Sequence, residues 1–136
     1  GKPGHEPWGL GVTVDGGVVY YADWGAGLFA VDASVPGALT SMSSVYTADG
    51  FYDSAVAGPR TINGTPYGNV VLGANAQGGL AVIDATAPSA MTLIGGAPLN
   101  VTVGMADGPH GVCVMGGNAY LADNMEQTLT IVRIED

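Results

Sequence analysis

An internal repeat with a period near fifty residues constrains this chain more than any other feature, because copies of one sequence fold into copies of one supersecondary unit. From Pro7 the chain reads PWGLGVTVDGGVVYYADWGAGLFAVDASVPGALT, and from Pro59 it reads PRTINGTPYGNVVLGANAQGGLAVIDATAPSAMT. The offset of 52 residues from Pro7 to Pro59 holds at Gly16/Gly68, Val18/Val70, Ala22/Ala74, Leu28/Leu80, Asp32/Asp84 and Pro36/Pro88. A third copy, PHGVCVMGGNAYLADNMEQTLTIVRI, opens at Pro109 and aligns once two residues are dropped before Gly116-Gly117. The units occupy approximately 7–46, 59–98 and 109–136.

Within a unit, short apolar runs of strand length are divided by turn residues. In the first copy, strand a covers about Gly9 to Val14, and Asp15-Gly16-Gly17 supplies a tight hairpin. Strand b covers about Val18 to Ala22, strand c Leu28 to Asp32, and strand d Ala38 to Val45. Four antiparallel strands repeated every fifty residues predict an all-β chain of β-propeller blades, each a four-stranded antiparallel sheet, in preference to a sandwich or a β-solenoid. Composition agrees. The chain is 47% hydrophobic but 11% charged, with 23 Gly, against roughly 25% charged and about 7% Gly in an ordinary domain.

The segments GVTVDGGVVYYADWGAGLFAVDAS, NVVLGANAQGGLAVIDAT and GVCVMGGNAYLADNMEQTLTIVRI resemble LVIVD-type repeats, a propeller-blade family of mostly bacterial and archaeal, often exported, proteins. The Pro-His-Gly-Val opening of the third copy also resembles YVTN-like propellers. The resemblance implies a fold and an extracellular or periplasmic (secreted) location, and it implies no reaction. The second copy departs from the pattern, with Asn75 for the usual Asp and an irregular strand a carrying Pro66, so its inner strand is expected to bend.

The third copy stops after strand c, giving about eleven strands, or an incomplete ring of about 2.75 blades. Rings close with about 4 to 8 blades, and an open arc exposes apolar sheet faces and strand edges that native proteins cover. The expected partners are therefore further blades, either in another polypeptide of which this chain is a processed or excised piece, or in identical copies; the first is favoured, because six residues before Pro7 are too few for a good strand d.

Three basic residues against twelve acidic ones, a net charge of −9, argue against nucleic acid and against docking on anionic lipid. The uncharged stretches 61–83 and 85–106 are interrupted by Pro and Gly, so no membrane insertion is expected. A single cysteine, Cys113, excludes an intrachain disulfide framework; inside strand a it reads as an inert small hydrophobe. Asn63-Gly-Thr65 and Asn100-Val-Thr102 match the glycosylation pattern, which matters only in a eukaryotic secretory pathway.

Because the strands alternate in direction, the b-to-c loops and d-to-a connections share one side, which carries Trp24, Asp49, Tyr52, Asp53, Arg60, His110 and Asp123. Asp23, Asn75 and Asp123 recur in every copy and read as caps of their own loops, with oxygen ligation of calcium as the functional alternative; Asp32 and Asp84 read as structural. The residue after the repeat Pro changes instead: Trp8, then Arg60, then His110. If strand a lines the axis, this position opens on the channel mouth, where ligand-binding residues on a repeated scaffold are expected. Candidate ligand-binding residues are thus Trp8, Trp24, Arg60, His110 and Asp123. His110, with His5, is the candidate metal pair, short of the usual three or four ligands. No cofactor is predicted, although a divalent metal is compatible with these residues.

No Ser/His/Asp set, P-loop or dinucleotide fingerprint is evident. The leading expectation is a non-catalytic exported binding or assembly module with a protein partner. The alternatives are a metal-dependent propeller enzyme with its site near His110, and a structural repeat of a surface layer or filament.

Overall fold

The computed structural model describes residues 9–97, 108–123 and 127–135. They form three antiparallel sheets. The first runs in the order β1 (Gly9–Asp15), β2 (Val18–Asp23), β3 (Gly27–Asp32), β4 (Thr40–Val45). The second runs β5 (Asp53–Ile62), β6 (Thr65–Ala74), β7 (Leu80–Asp84), β8 (Thr92–Ala97), and the third has β9 (Pro109–Met115), β10 (Asn118–Asp123) and β11 (Thr128–Arg133). Two single 3-10 turns, η1 (Ala76–Gly78) and η2 (Pro88–Ala90), are the described helical elements. The chain is all-β, an incomplete ring of β-propeller blades.

The second sheet lies between the other two, and the pleat sends alternate side chains to opposite faces. Val71, Ala81 and Ile83 meet Tyr20, Ala22, Leu28 and Ala30 of the first sheet, and Phe51 and Met91 close that core. Val70, Leu72, Ala74, Leu80 and Val82 meet Val112, Ala119 and Leu121 of the third. The innermost strand of each sheet is its first, since β5 touches β1 on one side and β9 on the other. The approach is close: a Cβ at Gly11 would lie 2.7 Å from Asp53 Oδ1 and 2.8 Å from Asp53 Cα. On the other side Asp53 Oδ2 accepts a hydrogen bond from Val112 N at 3.1 Å.

The pairing corrects the start of the second repeat. Val18 pairs with Asp15, Val19 with Val14 and Ala22 with Gly11, whereas Val70 pairs with Gly58, Val71 with Val56 and Ala74 with Asp53. The offset is therefore 42 residues along the first strand and remains 52 from β2 onward (Val18/Val70, Asp32/Asp84, Thr40/Thr92). The second sheet begins at Asp53, not at Pro59, and its first hairpin is longer, turning at Asn63-Gly64 (φ 50° and 77°). Pro66 lies in β6, opposite Thr61, not in the inner strand. The inner strand is irregular as expected, but at Gly58, where the register shifts on both sides and φ is +72°.

Candidate functional site

The rim formed by the b-to-c loops and the starts of the inner strands collects three of the four described candidate residues, Trp24, His110 and Asp123. Tyr52 and His110 stack at its centre, with ring centroids 3.9 Å apart and planes at 14°. They occupy equivalent places: each precedes the inner-strand residue that pairs with the penultimate residue of its neighbour's conserved Ala-Asn/Asp end, Asp53 with Ala74 and Gly111 with Ala122. The same place in the first sheet holds Leu10, which is exposed. Asp53, next to Tyr52, joins both flanking inner strands through the contacts described above, so a carboxylate fixes the spacing at the axis.

Arg60 departs from the expected position. It stands near the far end of the long β5–β6 hairpin, on the side of the a-to-b turns. There its Nε donates to Ala57 O at 2.9 Å, its Nη1 donates to Gly116 O at 2.6 Å, and the guanidinium lies 3.1 Å from Glu135 Oε2. Arg60 and His110 are therefore on opposite sides, and the grouping of Trp8, Arg60 and His110 as the residue after each repeat Pro does not hold for Arg60. The reason is the extra length of the hairpin, whose Ile62 and Tyr67 pack against the core shared with the third sheet. Trp8 and His5 lie outside the described residues.

The recurring Asx residues are buried. Asp23 is 3% exposed, and its Oδ1 accepts from Gly25 N and Ala26 N, both at 2.9 Å, while Oδ2 accepts from the Tyr21 hydroxyl at 3.2 Å. Burial, and then the bond to Asp23, raise the Tyr21 pKa. Asn75 accepts from the Thr47 hydroxyl through Oδ1, tying η1 to the connection between the first two sheets. Asp123 is equally buried. Trp24 is half-buried, its backbone oxygen and ring lying against Gly50. Among the described residues no group of three or more His, Cys, Asp or Glu is placed to hold a metal ion.

Asp32 and Asp84 end the third strand of their sheets and cap the turns that follow. Asp32 Oδ1 accepts from Ser34 N at 2.9 Å and from the Ser34 hydroxyl at 2.6 Å; Asp84 Oδ1 accepts from Thr86 N at 2.9 Å. The Ser34 hydroxyl, then its backbone N–H, lower the Asp32 pKa. With the folded pKa below the unfolded one, its stabilising contribution is complete above the unfolded pKa and is lost as pH falls through the folded pKa. Ser34→Ala is expected to move the Asp32 carboxyl titration, followed by NMR, back toward the ordinary aspartate value; an unchanged titration would refute this role for the hydroxyl.

Cys113 lies in β9 as expected but is exposed instead of enclosed by apolar neighbours. Its face of the third sheet also carries Met115, Leu129 and Ile131, all of them exposed.

The LVIVD repeat model matches residues 10–47 and 67–97, together just over half of the chain. No curated protein and no solved structure matches it. The first match spans β1 to β4 and the second β6 to β8, so the long first strand of the second sheet and the whole third sheet fall outside the matched residues. Two sheets with the same strand order, register and Asp-capped turn coincide with two copies of one repeat, and the chain belongs to the LVIVD repeat family.

Proposed function

We propose that this protein is a non-catalytic, exported propeller module for binding or assembly, whose two end sheets are covered by further sheets of the same kind. The carrying observation is a set of equivalent positions with opposite exposure. Leu28 and Leu80 are 0% and 1% exposed because each faces the next sheet, while Leu129, the equivalent residue of the third sheet, is 67% exposed. Ile131 is exposed where Ala30 and Val82 are buried. At the other end, Val12 and Val14 are each 63% exposed, on the face that in the second sheet meets a neighbour through Ser54 and Val56.

The leading face of the first sheet fits the trailing face of the second, and that of the second fits the third. The same two kinds of face are therefore presented at the two ends, which is the arrangement of a heterologous, head-to-tail contact. An acidic surface with few basic residues directs the rim toward protein or small-molecule partners in preference to nucleic acid. The extracellular or periplasmic location rests on the resemblance to exported repeat proteins.

Sedimentation velocity over a range of concentrations tests the reading. The unaltered chain is expected to self-associate, and Leu129→Lys with Ile131→Lys to weaken that association by at least about tenfold, since central apolar contacts each carry more than about 1 kcal/mol. A wild-type chain that stays a single-chain particle and binds no hydrophobic dye would overturn it.

A further inference from the structure

The second copy of the repeat differs from the first at its Asx position, and the difference leaves a hydrogen-bond donor unused. In the first sheet Asp23 Oδ1 accepts from Gly25 N and Ala26 N and so closes its own b-to-c loop. Asn75 makes no side-chain capping bond to η1. Its Oδ1 accepts from the Thr47 hydroxyl, whose oxygen accepts from Gly50 N at 3.4 Å. That hydroxyl therefore has its own hydrogen for Asn75 Oδ1, which turns the amide nitrogen the other way. Asn75 is 7% exposed, and its Nδ2 makes no hydrogen bond to a described residue.

Asn75 borders a groove of about 510 Å³ beside the outer strand of the second sheet, lined by Tyr46, Thr47, Asp49, Asn75, Leu80 and Leu93 among others. Asp49 is half-buried there, and its carboxylate also makes no hydrogen bond to a described residue. The two groups converge. A Cβ at Gly78 would collide with Asn75 Nδ2 and would lie 2.8 Å from Asp49 Oδ2, so a glycine at this position leaves the place between them open. A donor lacking an acceptor and an acceptor lacking a donor, both drawn out of bulk water, cost free energy until one group satisfies both. Around them the lining adds apolar Leu80 and Leu93 and the half-exposed ring of Tyr46.

We propose that this groove is a binding site for a neutral sugar ring. A hydroxyl donates and accepts at one oxygen, so a single sugar hydroxyl between the two side chains accepts from Asn75 Nδ2 and donates to Asp49, the second being a charge-assisted bond of the stronger kind. The C–H face of a pyranose carries partial positive charge and suits the negative face of the Tyr46 ring. The volume is that of a small-molecule site. Other ligand classes match only part of the groove. A cation satisfies Asp49 but is repelled by the amide hydrogens of Asn75. An anion finds no basic side chain in the lining and meets a chain of net charge −9; Arg60 and Arg133 are engaged by Glu135 instead. An amino acid would set its own carboxylate beside that of Asp49. The groove belongs to the second sheet and the connection leading into it, so the proposal does not rest on what covers the end sheets.

The test is titration of the intact chain with the methyl α-glycosides of glucose, galactose, mannose and N-acetylglucosamine, read by saturation-transfer NMR and by the shifts of protein amides. Saturable binding of at least one of them is expected, with shifts centred on residues 46–49 and 75–79. Asn75→Asp puts back the acid found at this place in the other two copies, Asp23 and Asp123, and removes the donor. Asp49→Ala removes a side chain that makes no bond to a described residue, and Tyr46→Ala removes a half-exposed ring. Each is expected to weaken binding by at least about tenfold. The last two should leave the urea midpoint nearly unchanged, which keeps the test decisive if Asn75→Asp does not fold. No saturable binding of any of these glycosides, shifts centred elsewhere, undiminished binding by Asp49→Ala, or saturation of the groove by glycine or calcium in place of a sugar would overturn the proposal. Sugar binding by a chain that does not self-associate would leave this site standing while removing the reading of the end faces. Self-association without sugar binding would do the reverse.

Discussion

Phe51→Ala is expected to lower the stability of the folded chain by about 3–5 kcal/mol, the usual range for deleting a buried aromatic ring. Phe51 is fully buried in the core between the first two sheets, and its ring lies over Gly73 of β6, where a Cβ would come within 2.5 Å of it. The ring therefore fills space that a glycine leaves open on the facing strand, and a methyl group cannot reach across it. Since domains are stable by only about 5–15 kcal/mol, the loss is a large fraction of the total. Urea denaturation followed by circular dichroism measures it; a change below about 1 kcal/mol would mean that the two sheets do not share this core.

Gly50→Ala is expected to cost about 2–4 kcal/mol, and substantially more than Gly16→Ala. Both glycines have positive φ, +86° and +54°, so each substitution carries the left-handed penalty of about 1–2 kcal/mol. They differ in surroundings. A Cβ at Gly16 meets nothing within 4 Å, while one at Gly50 would lie 2.2 Å from Trp24 O and 2.8 Å from Trp24 Cδ1. The excess is the overpacking term, about 1–3 kcal/mol. Comparing the two variants by urea midpoint isolates it, and equal losses would show that the Trp24 loop yields without cost. Gly50 thus holds the connection between the first two sheets against the loop that carries a candidate binding residue.

The sequence was a good guide wherever the repeat was ungapped. The four strands expected for the first copy differ from β1 to β4 by no more than two residues at any end, because alternating apolar residues and positive-φ turn glycines are local signals. It failed at Arg60. The match of Pro7 with Pro59 rested on residues that recur throughout a chain with 23 Gly and 8 Pro. A better alignment was present: GLGVTVDG at 9–16, FYDSAVAG at 51–58 and PHGVCVMG at 109–116 share Val14, Val56 and Val114 and Gly16, Gly58 and Gly116. Gly58 keeps the positive φ of the other two glycines, although the chain there runs on into a longer hairpin before returning. The equivalence of Tyr52 with His110, and the bridging role of Asp53, follow from that alignment and not from the one anchored on proline.

By itself the sequence determined the fold class, the repeating sheet and the loop cap at Asp23, because each depends on residues a few positions apart. Only the tertiary structure decided which side chains share the rim, that Arg60 reaches the third sheet from the opposite side, and that Cys113 is exposed. Those depend on which face of a sheet meets a neighbour. Leu28, Leu80 and Leu129 share the same place in the repeat, and their exposures differ only because two of them have another sheet in front of them.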